Sequence, residues 1–291
     1  MKKGLVAKKS LNRTIQSPVI FDGVGVHSGI KTRIEIIPSA QGINFMKKGD
    51  EKTRVAALVN NVVNTLQGTT IGNGRISFSM VEHLLGTLFA LGINDVTVML
   101  DGGNEVPIFD GSALPIVNKI IEAGFIEKTD KSKETTCFIK EPSSINLKKS
   151  ILALYPSRKL VISYFINYSN YPELTQMKTI EVSEENFVKE IAPARTYAFL
   201  EWIESLKKQG LIKGGNLENA LVYSKDGLLN NTPLRFKDEF VRHKILDFIG
   251  DLSLLGRRVI GHFVILCGGH TSHIAFLKEL KKRIESNKYE K

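Results

Sequence analysis

The chain has 291 residues, room for about two domains of ordinary size. Its composition is 42% hydrophobic and 24% charged with 24 glycines, which excludes a wholly disordered, collagenous or coiled-coil chain. Lys and Arg number 40 against 30 Asp and Glu, a net charge of +10 that suits an anionic partner: nucleic acid, a phosphorylated metabolite or an acidic membrane surface.

From Thr14 to about Phe45 the pattern is strand-like, clearest in Thr32-Arg33-Ile34-Glu35-Ile36, where alternation places every second side chain on one face. Glycines 23, 25, 29 and 42 divide this stretch into hairpins. Met80, Val81, Leu84, Leu85, Leu88 and Leu91 then recur at helical spacing, with Ser79 as the expected N-cap and Gly92 as the stop. A short strand from Asp95 to Leu100 follows, then a loop to Asp110-Gly111-Ser112, and Pro115 opens a second helix that ends at Gly124.

Residues 128–134 are polar and charged without periodicity, and they mark a domain boundary near residue 130. Beyond them strands are expected around 136–139, 151–154, 160–167 and 177–182. A helix over about 238–255, a strand over 259–266, a glycine loop and a last helix from about Thr271 complete the chain. Asp110 lies 27 positions after His83, and His270 lies 27 after His243, each past a helix and a strand. The repeat reads as two domains of one topology, strands first and then helix, strand, helix; the ordinary length of such a unit gives the same spacing by coincidence.

Cys137 and Cys267 are the only cysteines, so neither a disulfide framework nor a cysteine-rich zinc site is expected, and a reducing cytoplasm is the expected compartment. Residues 1–9 are charged without an apolar stretch and no long apolar run occurs later, so secretion and a transmembrane segment are not expected.

His243 and Asp247 stand four apart on the predicted helix and project from one face, a spacing that serves a shared metal ion or a surface hydrogen-bonded pair. With His83 they make three protein ligands and leave a tetrahedral zinc its fourth position for water, as in catalytic sites. Glu82, beside a ligand, is placed to take a proton from that water, although its position equally suits a glutamate of a helix's first turn. His270 follows a strand in a glycine loop and can reach a cleft as an acid. His27 reads as a turn residue and His262 as a satisfied core or edge histidine; His273, one turn after His270, fits either the surface or a supporting contact. The dinucleotide fingerprint, the serine elbow, HExxH and paired CxxC motifs are absent.

Several segments match one family together: Gly23-Val24-Gly25-Val26-His27-Ser28-Gly29, Val81-Glu82-His83-Leu84-Leu85, Glu105 to Ala113, Pro193-Ala194-Arg195-Thr196, Arg242 to Leu252, and Gly269-His270. In this combination and order the sequence resembles the UDP-3-O-acyl-N-acetylglucosamine deacetylases, zinc enzymes of lipid A biosynthesis. The resemblance implies zinc held by His83, His243 and Asp247, with Glu82 as general base and His270 as general acid and oxyanion stabiliser. It further implies Thr196 as an oxyanion donor, Lys244 as a substrate contact and Asp251 as the residue that orients the active-site histidine.

The implied fold is α+β: two domains of like topology, each a sheet layered with helices, with the helices packed inward between the sheets. On this reading residues 1–130 form the first domain and 131–291 the second, with an acyl-chain insert around 191–217. The expected protein is a cytoplasmic zinc-dependent amidohydrolase acting on a UDP-linked acylated aminosugar, with no nucleic acid and no obligate protein partner. A basic RNA-binding α/β protein and a zinc hydrolase of another amide are the competing readings. Met80 stands where the family usually has threonine, a difference that touches helix capping and no ligand.

Overall fold

The computed structural model describes residues 12–128 and 136–286. In the first half, β1 (Val19–Val24) and β2 (Lys31–Pro38) form one hairpin, and β3 (Ile43–Lys47) and β4 (Asp50–Ala56) form another. A small three-stranded sheet follows, made of β5 (Val62–Asn64), β6 (Thr70–Gly72) and β7 (Ser77–Phe78). Then come α1 (Glu82–Ala90), β8 (Val96–Gly102) and α2 (Leu114–Ala123). β8 enters the main sheet between the hairpins, antiparallel to β2 and parallel to β3, giving the order β1-β2-β8-β3-β4.

The second half repeats this plan. β9 (Ser143–Leu147) with β10 (Ser150–Tyr155), and β11 (Val161–Tyr168) with β12 (Tyr171–Glu181), are the hairpins. A second small sheet contains β13 (Tyr197–Phe199), β14 (Leu221–Ser224) and β15 (Gly227–Leu228), with α3 (Leu200–Lys208) between the first two. α4 (Glu239–Ser253), β16 (His262–Leu266) and α5 (His270–Glu285) end the unit. The order β9-β10-β16-β11-β12 again has the last strand antiparallel to the first hairpin and parallel to the second. The molecule is thus two sheet-and-helix domains of like topology; the expected boundary near residue 130 lies outside the described residues.

In β2 the buried residues are Thr32, Ile34 and Ile36, while Lys31 and Arg33 face water, so one face of the sheet carries the core. The helices are covered on more sides. Every residue of α1 is buried, and α4 is buried along nearly its whole length. A helix covered all round lies inside a protein, not on it. One apolar cluster runs from Ile34 and Val98 of the first sheet through Leu84, Leu88, Leu246 and Ile249 of the helices to Leu152 and Ile162 of the second sheet. α1 and α4 meet where each is a glycine: a β-carbon on Gly86 would sit 3.3 Å from the Gly250 nitrogen.

The first helix begins later than its apolar spacing predicts. Ser79 is not its N-cap, because its N–H donates to the Asn104 carbonyl and its own carbonyl accepts from Val106. The chain then turns through Met80, at φ +57°, and the helix starts at Glu82. The stop at Gly92, φ +71°, and the helix that ends before Gly124 agree with expectation. The predicted strand 259–266 breaks at Gly261: Val259–Ile260 pairs with Cys137–Phe138 outside the main sheet, and β16 follows. Among the described residues no helix is long and apolar enough to cross a membrane.

Candidate active site

The crossing of α1 and α4 brings together side chains 160 and more positions apart. His83 occupies the first turn of α1, and His243 and Asp247 lie one turn apart on α4; all three are buried. Asp247 Oδ1 is 3.3 Å from His243 Nε2 and 3.7 Å from His83 Nε2, and the two rings meet edge-on with centroids 5.0 Å apart. His243 Nδ1 donates to the Ala194 carbonyl at 3.1 Å, which leaves its Nε2 as the bare nitrogen. Burial holds this imidazole's pKa down, to about 4, so it is neutral near pH 7.

The other oxygen of Asp247, Oδ2, accepts from Lys244 Nζ at 2.7 Å. Burial alone would raise the Asp247 pKa, but the Lys244 and His243 charges win and hold it well below the usual carboxylate range. The arrangement fits a divalent cation. The bare Nε2 of His243 faces the Asp247 oxygen with no hydrogen to share, whereas a tetrahedral zinc with bonds of 2.0–2.2 Å places its ligand atoms about 3.3–3.6 Å apart. His83 Nδ1 is buried without a hydrogen-bond partner among the described residues, and it is Nε2 that faces the triad.

Glu82 and His270 flank this triad, each at the first position of its helix. Glu82, Asp247 and His270 each bring an atom within 4.8 Å of the others. Glu82 is 1% exposed; burial raises its pKa, against the charges of His270 and His83. Its Oε2 accepts the Thr69 N–H at 2.9 Å. His270 points Nε2 toward Asp247 Oδ2, 3.8 Å away, and binds Asp251 Oδ2 through Nδ1 at 2.9 Å. Burial would lower the His270 pKa, but the Asp251 carboxylate raises it to about 9.

His273 is not on the surface: fully buried, it places Nδ1 2.8 Å from Asp251 Oδ2 and Nε2 2.9 Å from the Tyr164 hydroxyl. A carboxylate only accepts, so His273 donates through Nδ1 and accepts the tyrosine proton at Nε2. Burial would raise the Asp251 pKa, but the His270 charge and the hydrogen bonds from His270 and His273 hold it at about 2.

The Pro193-Ala194-Arg195-Thr196 segment is tied to the same centre. Ala194 orients His243, and buried Arg195 grips Glu239 at the start of α4 through Nε and Nη2 at 2.8 and 3.1 Å. Thr196, half-buried, donates its N–H to the Gly111 carbonyl at 2.7 Å and accepts from Leu221 N at 2.8 Å. Gly111, at φ +86°, has no room for a β-carbon, which would sit 2.5 Å from the Asn219 carbonyl oxygen. Asp110, the 27-residue counterpart of His270, pairs instead with Arg235 at 2.7 Å and with Ser112, so the internal repeat is one of topology and not of chemistry. His27 serves a turn, its N–H held by Glu105 at 2.8 Å, and His262 is satisfied by Ser163 at 2.8 Å.

Thr69, Tyr164 and the Ala194 carbonyl are parts of the site that sequence reading missed. Each acts through a backbone group or a hydroxyl, and no spacing advertises such a contact.

The family model for UDP-3-O-acyl N-acetylglycosamine deacetylases matches residues 12–282. The chain is 43% identical to the UDP-3-O-acyl-N-acetylglucosamine deacetylase of Thermodesulfovibrio yellowstonii, over 96% of this chain and 93% of that protein. It is 39% identical to the deacetylases of the same name from Geobacter sp. and Synechocystis sp., over 93% of this chain in both cases and 89% and 98% of theirs.

Proposed function

The chain belongs to the UDP-3-O-acyl-N-acetylglucosamine deacetylase family, and from that premise we propose that it hydrolyses the 2-acetamido group of a UDP-linked, 3-O-acylated glucosamine, releasing acetate, as a step of lipid A biosynthesis. One observation carries the reading: Glu82, His83, His243, Asp247 and His270 converge from two domains on one buried centre.

His83, His243 and Asp247 would hold zinc. Bound there, zinc would supply Lewis acidity toward water and the amide carbonyl. Glu82 is the general base, receiving the water's proton at Oε1 because Oε2 is engaged by Thr69. His270 is the acid: Nδ1 is tied to Asp251, and Nε2–H delivers its proton to the departing amine. Amide and water thus become amine and acetate.

Lys244 neutralises Asp247 and stands beside the centre as a substrate contact, and the Thr196 hydroxyl is assigned to the oxyanion. Asp251 holds His270 cationic. The net charge of +10 favours a diphosphate-bearing substrate. We take residues 1–130 and 131–291 as the domains, the 191–217 segment as the seat of the acyl chain, and the cytoplasm, which suits a chain with two cysteines 130 positions apart, as the location.

The test is acetate release from the UDP-3-O-(3-hydroxyacyl)-N-acetylglucosamine by purified protein of known metal content. One zinc per chain without acetate release would reject the substrate and leave hydrolysis of another amide. Protein that binds RNA and no metal would reject the enzyme altogether.

A further inference from the structure

Thr69 spends every polar atom it has on the reaction centre. It is fully buried in the turn that leads into β6. Its N–H donates to Glu82 Oε2 at 2.9 Å, and its carbonyl accepts from Val81 N at 3.3 Å, at the point where α1 begins. Its hydroxyl crosses to the other domain, donating to Asp251 Oδ1 at 2.5 Å, and Oγ1 lies 3.1 Å from His270 Nδ1. The preceding residue pair is shaped for this placement: Gln67 adopts the left-handed region at φ +58°, and its carbonyl is 3.2 Å from His27 Nε2.

The direction of each hydrogen is determined. Asp251 only accepts, so the single hydroxyl proton of Thr69 goes to Oδ1. The Thr69 oxygen can then only accept from His270, which requires a hydrogen on Nδ1, shared between Asp251 Oδ2 at 2.9 Å and Thr69 Oγ1 at 3.1 Å. With Nδ1 committed, Nε2 is the nitrogen left to work, on the side that faces Asp247.

We propose that Thr69 is a positioning residue that sets the acid and the base together, through Oγ1 on the Asp251–His270 pair and through its backbone N–H on Glu82. Among the described residues it is the side chain of the first domain that hydrogen-bonds a histidine of the second. The proposal rests on the deacetylase reading for its kinetic arm and on geometry alone for its spectroscopic arm.

Thr69→Val keeps the shape and the N–H and removes the hydroxyl. We expect kcat to fall by roughly tenfold to a hundredfold, a share of what a positioned general acid contributes, with KM and bound zinc unchanged. Thr69→Ser should recover most of the rate. In 15N NMR, assigned by comparison with His270→Gln, His270 Nδ1 should carry a proton in the wild type, and its signal should shift in Thr69→Val. A Thr69→Val enzyme at the wild-type kcat, a Thr69→Ser enzyme as slow as Thr69→Val, or a bare Nδ1 in the wild type would each overturn the proposal. A wild-type protein that releases no acetate would instead reject the deacetylase reading, and an Nδ1 signal unmoved in Thr69→Val would then overturn the positioning role.

Discussion

Gly250 on α4 and Glu82 at the start of α1 are in backbone contact: a β-carbon on Gly250 would sit 2.1 Å from the Glu82 carbonyl oxygen. The obstacle is main chain and cannot rotate away, so the helices must part to admit even a methyl group. Because His83 rides on one helix and His243 and Asp247 on the other, their separation would also open the proposed metal site. Gly250→Ala should cost roughly 1–3 kcal/mol of stability, the usual penalty for overpacking, and weaken zinc binding with it. Chemical denaturation and zinc titration read the two effects. A variant of wild-type stability and affinity would show that the crossing is more compliant than its geometry implies.

Ligand and base should separate cleanly under mutation. His83→Ala or His243→Ala would leave two of the three proposed ligands, and metal and activity should vanish together. Glu82→Ala leaves the triad intact, so zinc should remain while turnover falls by about 10²–10⁴. Metal analysis of the purified variants beside their acetate release makes the distinction; loss of zinc in Glu82→Ala to the same degree as in His83→Ala would make Glu82 a ligand.

The rate should be bell-shaped in pH. As the proposed base Glu82 would work deprotonated, so activity should be present above its raised pKa and fall as pH drops through it. As the proposed acid His270 would work protonated, so activity should be present below about 9 and fall as pH rises past it. The limbs belong to coupled groups and report macroscopic values. Asp251→Asn removes the charge that holds His270 up, leaving burial to pull it down, so the alkaline limb of kcat/KM should move to lower pH. An unmoved limb would assign it to a group other than His270.

The parts of the site that could be read from sequence lie on helices whose register is fixed. His243 and Asp247 are one turn apart, and Glu82-His83 opens an apolar run, so residue type and spacing together expressed their chemistry. Most strands of the two large sheets followed from alternation and glycine punctuation, whereas the polar edge strands Asp50–Ala56 and Ser143–Leu147 did not. The start of α1 did not, because Ser79 is captured by the loop at Asn104–Val106 that follows β8, a contact that local capping preference cannot anticipate. Periodicity also implied one buried face for α1, whereas the second domain covers the rest. Thr69 was hidden for the same reason: its partners Asp251 and His270 are 182 and 201 residues away, and a buried threonine in a loop carries no pattern.

The segment 191–217 carries more apolar surface than its packing uses. Of α3 only Leu206 is buried, while Leu200, Trp202 and Leu217 are 48%, 38% and 47% exposed and Ile203, Leu211 and Ile212 are half-buried. A helix that merely packed onto its domain would hide these groups, since isolated exposed apolar residues are ordinary but a run of them on one short segment marks a binding surface. Phe199, stacked on Tyr171 with ring centroids 4.3 Å apart, anchors the start of the segment, and Tyr197, two residues earlier, lies edge-on to His243 at 6.1 Å, so the apolar surface begins beside the His83–His243–Asp247 cluster. A long acyl chain laid there would gain about 0.8 kcal/mol for each methylene it buries. Shortening the acyl group by several carbons should therefore lower kcat/KM by orders of magnitude, and Ile203→Asn or Ile212→Asn should flatten that dependence with little effect on the shortest substrates. Measurement of kcat/KM against acyl length in the wild type and both variants is the test. A wild-type enzyme indifferent to chain length would leave this segment without the acyl chain as its partner.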